Sequence, residues 1–215
     1  MSQLRLAELW RYPVKSMAGE PLEVAAVSSD GVAGDRVVQV RDGRGRTLTA
    51  RAHPRLLGLR GGLGGDGQPT VDGYPWYSRD AAAMVRAASA DDYATLVRDE
   101  SLDHFDVLPL SVLTDGAISA LGVDRRRLRP NILIAGAPGL TEREWPGHRL
   151  RLGEVIIGVR KLRGRCVMTT YDPDTQAQDL SVLKRIVGDF GGRMALDCYV
   201  IQGGRLAVGD PVELL

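Results

Sequence analysis

Short runs rich in Val, Leu and Ile recur along the chain, each broken by Gly, Pro or Asp. They are Leu4 to Trp10, Leu22 to Val27, Arg36 to Val40, Leu56 to Leu59, Val107 to Leu113, Asn131 to Ile134, Glu154 to Leu162, Cys198 to Gln202 and Pro211 to Leu215. Runs of this length between such residues predict strands with tight connections. Val37 to Val40 and Arg46 to Thr49 flank Asp42-Gly43-Arg44-Gly45, whose two glycines can supply the positive φ of a hairpin turn. Helical patterns are few. Arg79 to Ala90 follows Ser78, an N-cap residue, and Asp115 to Leu121 ends before Gly122. Asp179 to Val187 places Leu180, Leu183 and Val187 on one face at helical spacing. Many strands with a few short helices predict a predominantly β, barrel-type α+β architecture. The stretch Gly61 to Gly67 has no following Lys-Ser/Thr and is read as a solvent-exposed loop.

Composition narrows the function classes. The chain has 215 residues, 44% of them hydrophobic, enough for one large or two small cores. A shift in composition across Ser78 to Asp106 suggests an N-terminal barrel over residues 1–90 and a second domain over residues 91–215, or a single interleaved unit. With 28 basic and 27 acidic side chains the net charge is +1, so the overall balance offers no grip on nucleic acid or an anionic membrane, and any anion site must be local. The first residues carry no signal-peptide pattern, and no apolar run approaches the roughly 18 to 20 residues of a membrane span. The two cysteines, Cys166 and Cys198, read as free thiols of a cytoplasmic protein.

The segment with most chemistry runs from Lys161 to Thr175. Cys166 follows a strand and has Arg163 and Arg165 beside it, and guanidiniums next to a cysteine favour thiolate, a nucleophile and soft-metal ligand. The same placement also fits a buried cysteine acting as a small hydrophobe. His53, His104 and His148 are scattered, without the spacing of a structural zinc site, and pairing of Cys166 with His148 as a protease dyad has no positive support. Lys15, Arg51 and Arg129 with Asn131 stand where strands should end. Each alone reads as a surface residue; converging, they would form an anion pocket with Arg as a bidentate clamp.

These residues carry a family resemblance. Tyr12-Pro13-Val14-Lys15-Ser16-Met17-Ala18-Gly19, Gly34-Asp35-Arg36 and Thr49 to Leu56 in the first half are followed by Arg129-Pro130-Asn131-Ile132, Arg165-Cys166 through Asp172-Pro173-Asp174-Thr175, and Val208-Gly209-Asp210-Pro211-Val212. In this order they resemble the MOSC-domain proteins with a MOSC N-terminal β-barrel, such as the mitochondrial amidoxime-reducing component family. The resemblance implies a molybdenum cofactor, a pterin dithiolene with a phosphate tail, with Cys166 as the metal ligand and catalytic centre. It implies that Lys15, Arg51, Thr114, Arg129, Asn131 and Arg165 hold pterin and phosphate. At family level only, it also brings an association with pyridoxal phosphate. The implied activity is reduction of small N-oxygenated compounds by a molybdenum-dependent oxidoreductase; the alternative is a cofactor or sulfur carrier without turnover. The chain is shorter than the mitochondrial relatives and lacks a membrane anchor and a fused ferredoxin-like domain, so electrons are expected from a separate donor of ferredoxin, flavodoxin or cytochrome type. Where the family often shows a small residue and an aromatic before its last strands, this chain has Leu196-Asp197-Cys198-Tyr199.

Overall fold

The computed structural model describes residues 3–98 and 106–215. His104 and part of the expected domain seam lie outside them. The first half contains β1 (Arg5–Arg11), β2 (Glu20–Leu22), β3 (Val24–Ser28), β4 (Gly31–Val32), β5 (Val38–Arg41) and β6 (Thr47–Leu48). They are followed by β7 (Gly61–Leu63), β8 (Pro69–Val71), β9 (Tyr74–Pro75), helix α1 (Arg79–Ser89) and β10 (Thr95–Arg98). The second half has β11 (Leu110–Thr114), α2 (Asp115–Leu121), β12 (Ile132–Ala135), β13 (Arg149–Leu152) and β14 (Val155–Gly164). It ends with α3 (Leu180–Phe190), β15 (Arg193–Gln202), β16 (Gly204–Ala207) and β17 (Val212–Leu214).

The main sheet has the order β17-β13-β14-β15-β11-β12-β1-β2. It curls back on itself. The Leu6 N–H donates to Asp210 O at 2.8 Å, Gly209 N–H donates to Leu6 O at 2.8 Å, and Val212 N–H donates to Leu4 O at 3.0 Å. The stretch entering β17 is thereby bonded to β1, and closure removes the edges an open sheet would expose. Strand alternation then sorts the side chains. Leu110 and Val112 of β11 and Leu196 and Cys198 of β15 fill the barrel interior. Leu113 and Ala195 lie on the outer face, under α2 and α3. A separate core, built on Val14, Met17, Val38, Leu56, Val71 and Val85, holds together the N-terminal part with its two small sheets β10-β5-β6 and β7-β8-β9. The first strands do not stay there: β1 and β2 join the main sheet, and β3 pairs with β16 near the chain's other end.

The helix ends follow their side chains. Ser78 Oγ accepts from Ala81 N–H at 3.2 Å, and Gly122 closes α2 at φ +67°. The β5–β6 hairpin forms, but of its two glycines only Gly45 has positive φ, +78°. The other bend is made by Asp42, whose carboxylate accepts from the Arg44 and Arg46 backbone N–H groups at 2.9 Å. Three expectations need correction. Leu56 to Leu59 is not a strand: Pro54 starts a 3-10 turn over Pro54–Gly58. Gly61 to Leu63 pairs with β8, so only the tip of the glycine-rich stretch is an exposed turn. In α3 the buried face is Val182, Ile186 and Phe190, while Leu180 and Val187 are more than half exposed. Both stripes have helical spacing, and only packing against the barrel decides between them.

That choice has a measurable consequence. Ile186→Ala should cost about 2–5 kcal/mol of stability, as expected of a fully buried aliphatic side chain. Val187→Ala should stay within about 0.5 kcal/mol. Urea unfolding of both variants reads the difference, and equal losses would contradict the burial described.

Candidate functional site

A cavity of about 190 Å³ lies between the outer face of the barrel and the N-terminal part, with Cys166 in its wall. The elements that build it come from the whole chain: Lys15 and Ser16 after β1, Arg36 before β5, Arg51 after β6, Arg127 to Arg129 after α2, and Arg163 to Cys166 at the end of β14. Seven of the described lining residues are cationic, and Asp106 is the one carboxylate among those described. Lys15, Arg51, Arg129 and Arg165, four of the residues expected at the site, thus meet around Cys166.

The backbone is bent to achieve this. Ser16, Arg36 and Arg129 all sit in the left-handed region, at φ 72°, 56° and 50°. Non-glycine residues adopt that conformation only at a cost of order 1 kcal/mol or more, and such residues concentrate at functional sites. Hydrogen bonds hold two of them: Arg36 N–H donates to Tyr12 O at 2.8 Å and Arg129 N–H to Arg126 O at 3.2 Å. Cys166 itself opens a 3-10 turn over Val167–Thr170, anchored by Thr169, whose N–H and Oγ donate to Cys166 O at 3.1 and 2.9 Å.

Each cation is fixed differently. Arg51 lines the cavity with Cys166, and the neighbouring thiol, with Asp106, raises its already high pKa further. Asp106 accepts from Lys15 Nζ at 3.2 Å and pairs with Arg51 at 3.1 Å. Burial works against its charge, yet Lys15 and Arg51 hold its carboxyl below the usual range. Burial pushes the Arg165 guanidinium down to about 9, and its Nε has no hydrogen-bond partner, while one terminal nitrogen donates to Leu128 O at 2.6 Å. Burial likewise pushes Arg129 down to about 10. Both remain charged at neutral pH. Arg129 lies over the Tyr12 ring at 4.3 Å, and Arg36 approaches the same ring at 5.2 Å. The Tyr12 hydroxyl donates to Pro130 O at 3.0 Å; burial pushes it up to about 12 despite those two cations.

Behind the cavity, Arg127 donates to Thr170 O and Asp172, and Arg126 grips both Asp124 and Asp174. Asp172 Oδ1 accepts from the Asp174 and Thr175 N–H groups, so the Asp172-Pro173-Asp174-Thr175 turn is locked from within and clamped from outside. A larger chamber of about 730 Å³, with Trp10, Tyr12 and Tyr171 in its wall, adjoins the first and shares Arg127, Arg129 and Met168 with it.

Two expected site residues stand elsewhere. Thr114 caps α2, accepting from Ala117 N–H at 3.1 Å and bonding buried Glu142 at 3.1 Å. It does not line the cavity because the strand-to-helix junction consumes its hydroxyl. Asn131 is fully buried one layer behind the wall, where it bonds Asp35, Trp10 O and Ser111 N–H. Sequence reasoning left out Arg36, Arg127, Asp106 and Tyr12. Gly34-Asp35-Arg36 was visible as a motif and Arg125-Arg126-Arg127 as a basic run, but nothing local points either at Cys166. His53 bonds Ser89 O, and neither it nor His148 lines the cavity. Among the described residues no group of three or more His, Cys, Asp or Glu is placed to hold a metal ion. Among those residues, too, no helix is long and apolar enough to cross a membrane.

The comparisons agree with this architecture. The MOSC domain matches residues 80–213 and the MOSC N-terminal beta barrel domain residues 3–106. Mitochondrial amidoxime-reducing component 1 of Homo sapiens is 26% identical over 284 aligned residues, covering 98% of this chain and 82% of that protein. Mitochondrial amidoxime reducing component 2 of Homo sapiens is 24% identical, covering 96% and 82%. The solved YUAD protein of Bacillus subtilis shares the fold, with a TM-score of 0.54 at 15% identity over 100% of this chain and 98% of that one. A closed barrel joined to a smaller β-rich part, matched by both domain models across nearly its whole length, places this chain in the MOSC-domain family.

Proposed function

We propose that this protein is a molybdenum-cofactor-binding oxidoreductase that reduces N-oxygenated compounds such as hydroxylamines, amidoximes and N-oxides, with Cys166 as the protein ligand to molybdenum. The observation that carries the reading is a thiol set, among the described residues, with seven cations and one carboxylate. MOSC domains are associated with the molybdenum cofactor, and the relatives named above are amidoxime-reducing components.

The residues present fit the group. A sulfur donor suits a soft, sulfur-rich metal centre, and a phosphate taken out of water needs the cations that surround this thiol. The Nε of Arg165 is a buried donor with no hydrogen-bond partner among the described residues, as expected of a wall that faces an acceptor-rich ligand. Lys15, Arg51, Arg129 and Arg165 would hold the anionic parts, with Arg36, Arg127 and Arg163 completing the wall. When bound, the cofactor supplies a two-electron redox centre. The protein's share is to fix the ligand thiol through the Thr169 anchors, to hold the Arg clamps in their strained backbone positions, and to line the adjoining chamber for the substrate body. Reduction of a hydroxylamine to an amine and water consumes two electrons and two protons, so a separate donor of ferredoxin, flavodoxin or cytochrome type is required. The setting proposed is the cytoplasm.

Expression in a host that makes the cofactor should give near-stoichiometric molybdenum by elemental mass spectrometry and released pterin by fluorescence. Cys166→Ser should lose most of the metal. Absence of both from wild type, while a control molybdoenzyme loads in the same host, would sink the reading. The loaded protein should reduce benzamidoxime to benzamidine with a chemical or flavodoxin donor. Metal-loaded protein that reduces no N-hydroxylated compound but hands its cofactor to an apo-acceptor would instead mark a carrier.

The two thiols should also differ. Cys198 is fully buried and its thiol is pushed far up by that burial, while Cys166 lines the cavity. A thiol reagent should therefore modify one cysteine of the folded apo-protein, and Cys166→Ser should abolish that fast reaction. Two fast thiols would contradict the burial of Cys198.

A further inference from the structure

Under the Cys166 cavity a row of polar side chains crosses four neighbouring strand positions on the outer face of the barrel. It starts at Arg163 on β14, whose guanidinium donates to Asp197 Oδ1 of β15 at 2.6 Å. Asp197 stands directly opposite Ser111 of β11 in the antiparallel register. Ser111 N–H donates to Asn131 Oδ1 at 3.2 Å, and Asn131 N–H returns a bond to Ser111 O at 2.8 Å. Asn131 Nδ2 donates to Asp35 Oδ2 at 3.2 Å, and Asp35 is paired with Arg36. Both ends of the row, Arg163 and Arg36, open into the cavity.

The row has one break, and it is in the middle. Asp197 Oδ2 and Ser111 Oγ have no hydrogen-bond partner, and the two residues are 0% and 1% exposed. Directly opposed residues of an antiparallel pair project to the same face with Cβ atoms about 4.5–5.5 Å apart, so rotation of the serine about χ1 brings its hydroxyl to the carboxylate. Folding does not explain the arrangement. A carboxylate under a sheet with one oxygen unsatisfied is destabilising relative to a hydrophobe such as neighbouring Leu113, and the Arg163 pair alone does not offset that cost.

We infer that Asp197 is a positioning residue: it anchors Arg163 in the cavity wall, and Ser111 closes onto its second oxygen when an anion draws Arg163 inward. This rests on the reading of the cavity as an anion site, not on the identity of the redox reaction. Positioning and simple electrostatics make opposite predictions. Asp197→Leu removes a negative charge next to the cavity, so charge alone would tighten anion binding. Loss of the anchor would weaken it.

The test uses full-length protein made in a host without the cofactor, with inorganic phosphate as the probe in calorimetric titrations and urea unfolding run in parallel. Asp197→Leu should bind phosphate about tenfold more weakly than wild type, the loss expected when a charged hydrogen-bond anchor is removed. Asp197→Asn keeps an acceptor for Arg163 and should remain within about threefold. Ser111→Ala should leave the stability of the apo-protein unchanged or slightly raised, because it deletes an unsatisfied hydroxyl, yet weaken phosphate binding about fivefold. An Asp197→Leu protein that binds phosphate as tightly as wild type overturns the inference. If that variant does not fold, unchanged phosphate binding by Ser111→Ala overturns it instead. Wild type that binds no phosphate removes the anion cavity and this inference together. Wild type that binds phosphate with the expected pattern of variants, but takes up no molybdenum in a competent host, leaves the inference standing and sinks only the enzyme reading.

Discussion

The structure depends on keeping seven cationic side chains close together with fewer carboxylates among the described residues than would neutralise them. Like charges a few ångströms apart in a crevice of reduced dielectric repel strongly, and desolvation adds to the cost. The downward shift of Arg165, Arg163 and Arg129, each driven first by burial, is the signature of that cost. Relief is partial and deliberate in its geometry: Asp106 meets Lys15 and Arg51, Asp197 meets Arg163, Asp172 meets Arg127, and Tyr12 offers a ring face to Arg129. These described carboxylates are fewer than the cations they meet. The surplus of positive charge is therefore left facing the thiol, where an anionic ligand would complete it.

The barrel makes this affordable. Its interior is apolar, built on Leu6, Leu9, Ile132, Ile134, Leu150 and Ile157, and it needs nothing from the site for its packing. Alternation along β11, β12, β14 and β15 then offers every second position on the outer face for other uses. Where that face lies under α2 and α3 it carries Leu113 and Ala195; where it borders the cavity it carries Ser111, Asn131 and Asp197. One set of strands thus supports a hydrophobic layer and a polar one, and the strain at Ser16, Arg36 and Arg129 is absorbed by a scaffold whose stability comes from elsewhere.

The parts legible in the sequence were those set by local chemistry. Ser78 and Gly122 mark helix ends because capping acts within a few residues, and Asp42 to Gly45 marks a hairpin for the same reason. The convergence of Lys15, Arg51, Arg129 and Arg165 on Cys166 was inferred from strand ends and from the family's motifs, and these four do meet. Thr114 and Asn131 were expected at the site on the same resemblance but face other tasks, which only the tertiary setting decides: one hydroxyl caps a helix, and one amide ties three strands to Asp35. Leu180 and Val187 show the same limit in the core, since two stripes of equal spacing compete and the barrel selects Val182, Ile186 and Phe190. Arg36 and Asp106 were missed because partners that place them at the site are far along the chain: Arg36 reaches Asn131 across 95 residues, and Asp106 pairs with Lys15 and Arg51 of the first half.

The turn after Cys166 shows why sequence order and spatial order coincide at this site. Cys166 must be held on a backbone that cannot relax toward or away from the cations, and a single strand end would fray. Thr169 ties it from the following turn, Arg127 ties that turn to the wall through Thr170 O and Asp172, and Arg126 ties Asp174 to Asp124. Most of these pairs are partly solvated, where one ion pair contributes little to stability. Their effect is cooperative restraint: two adjacent arginines of one 3-10 segment hold two aspartates of one turn, so neither segment can shift without breaking both. Rigidity of the turn that carries Cys166 is thus obtained from ion pairs on its outer side.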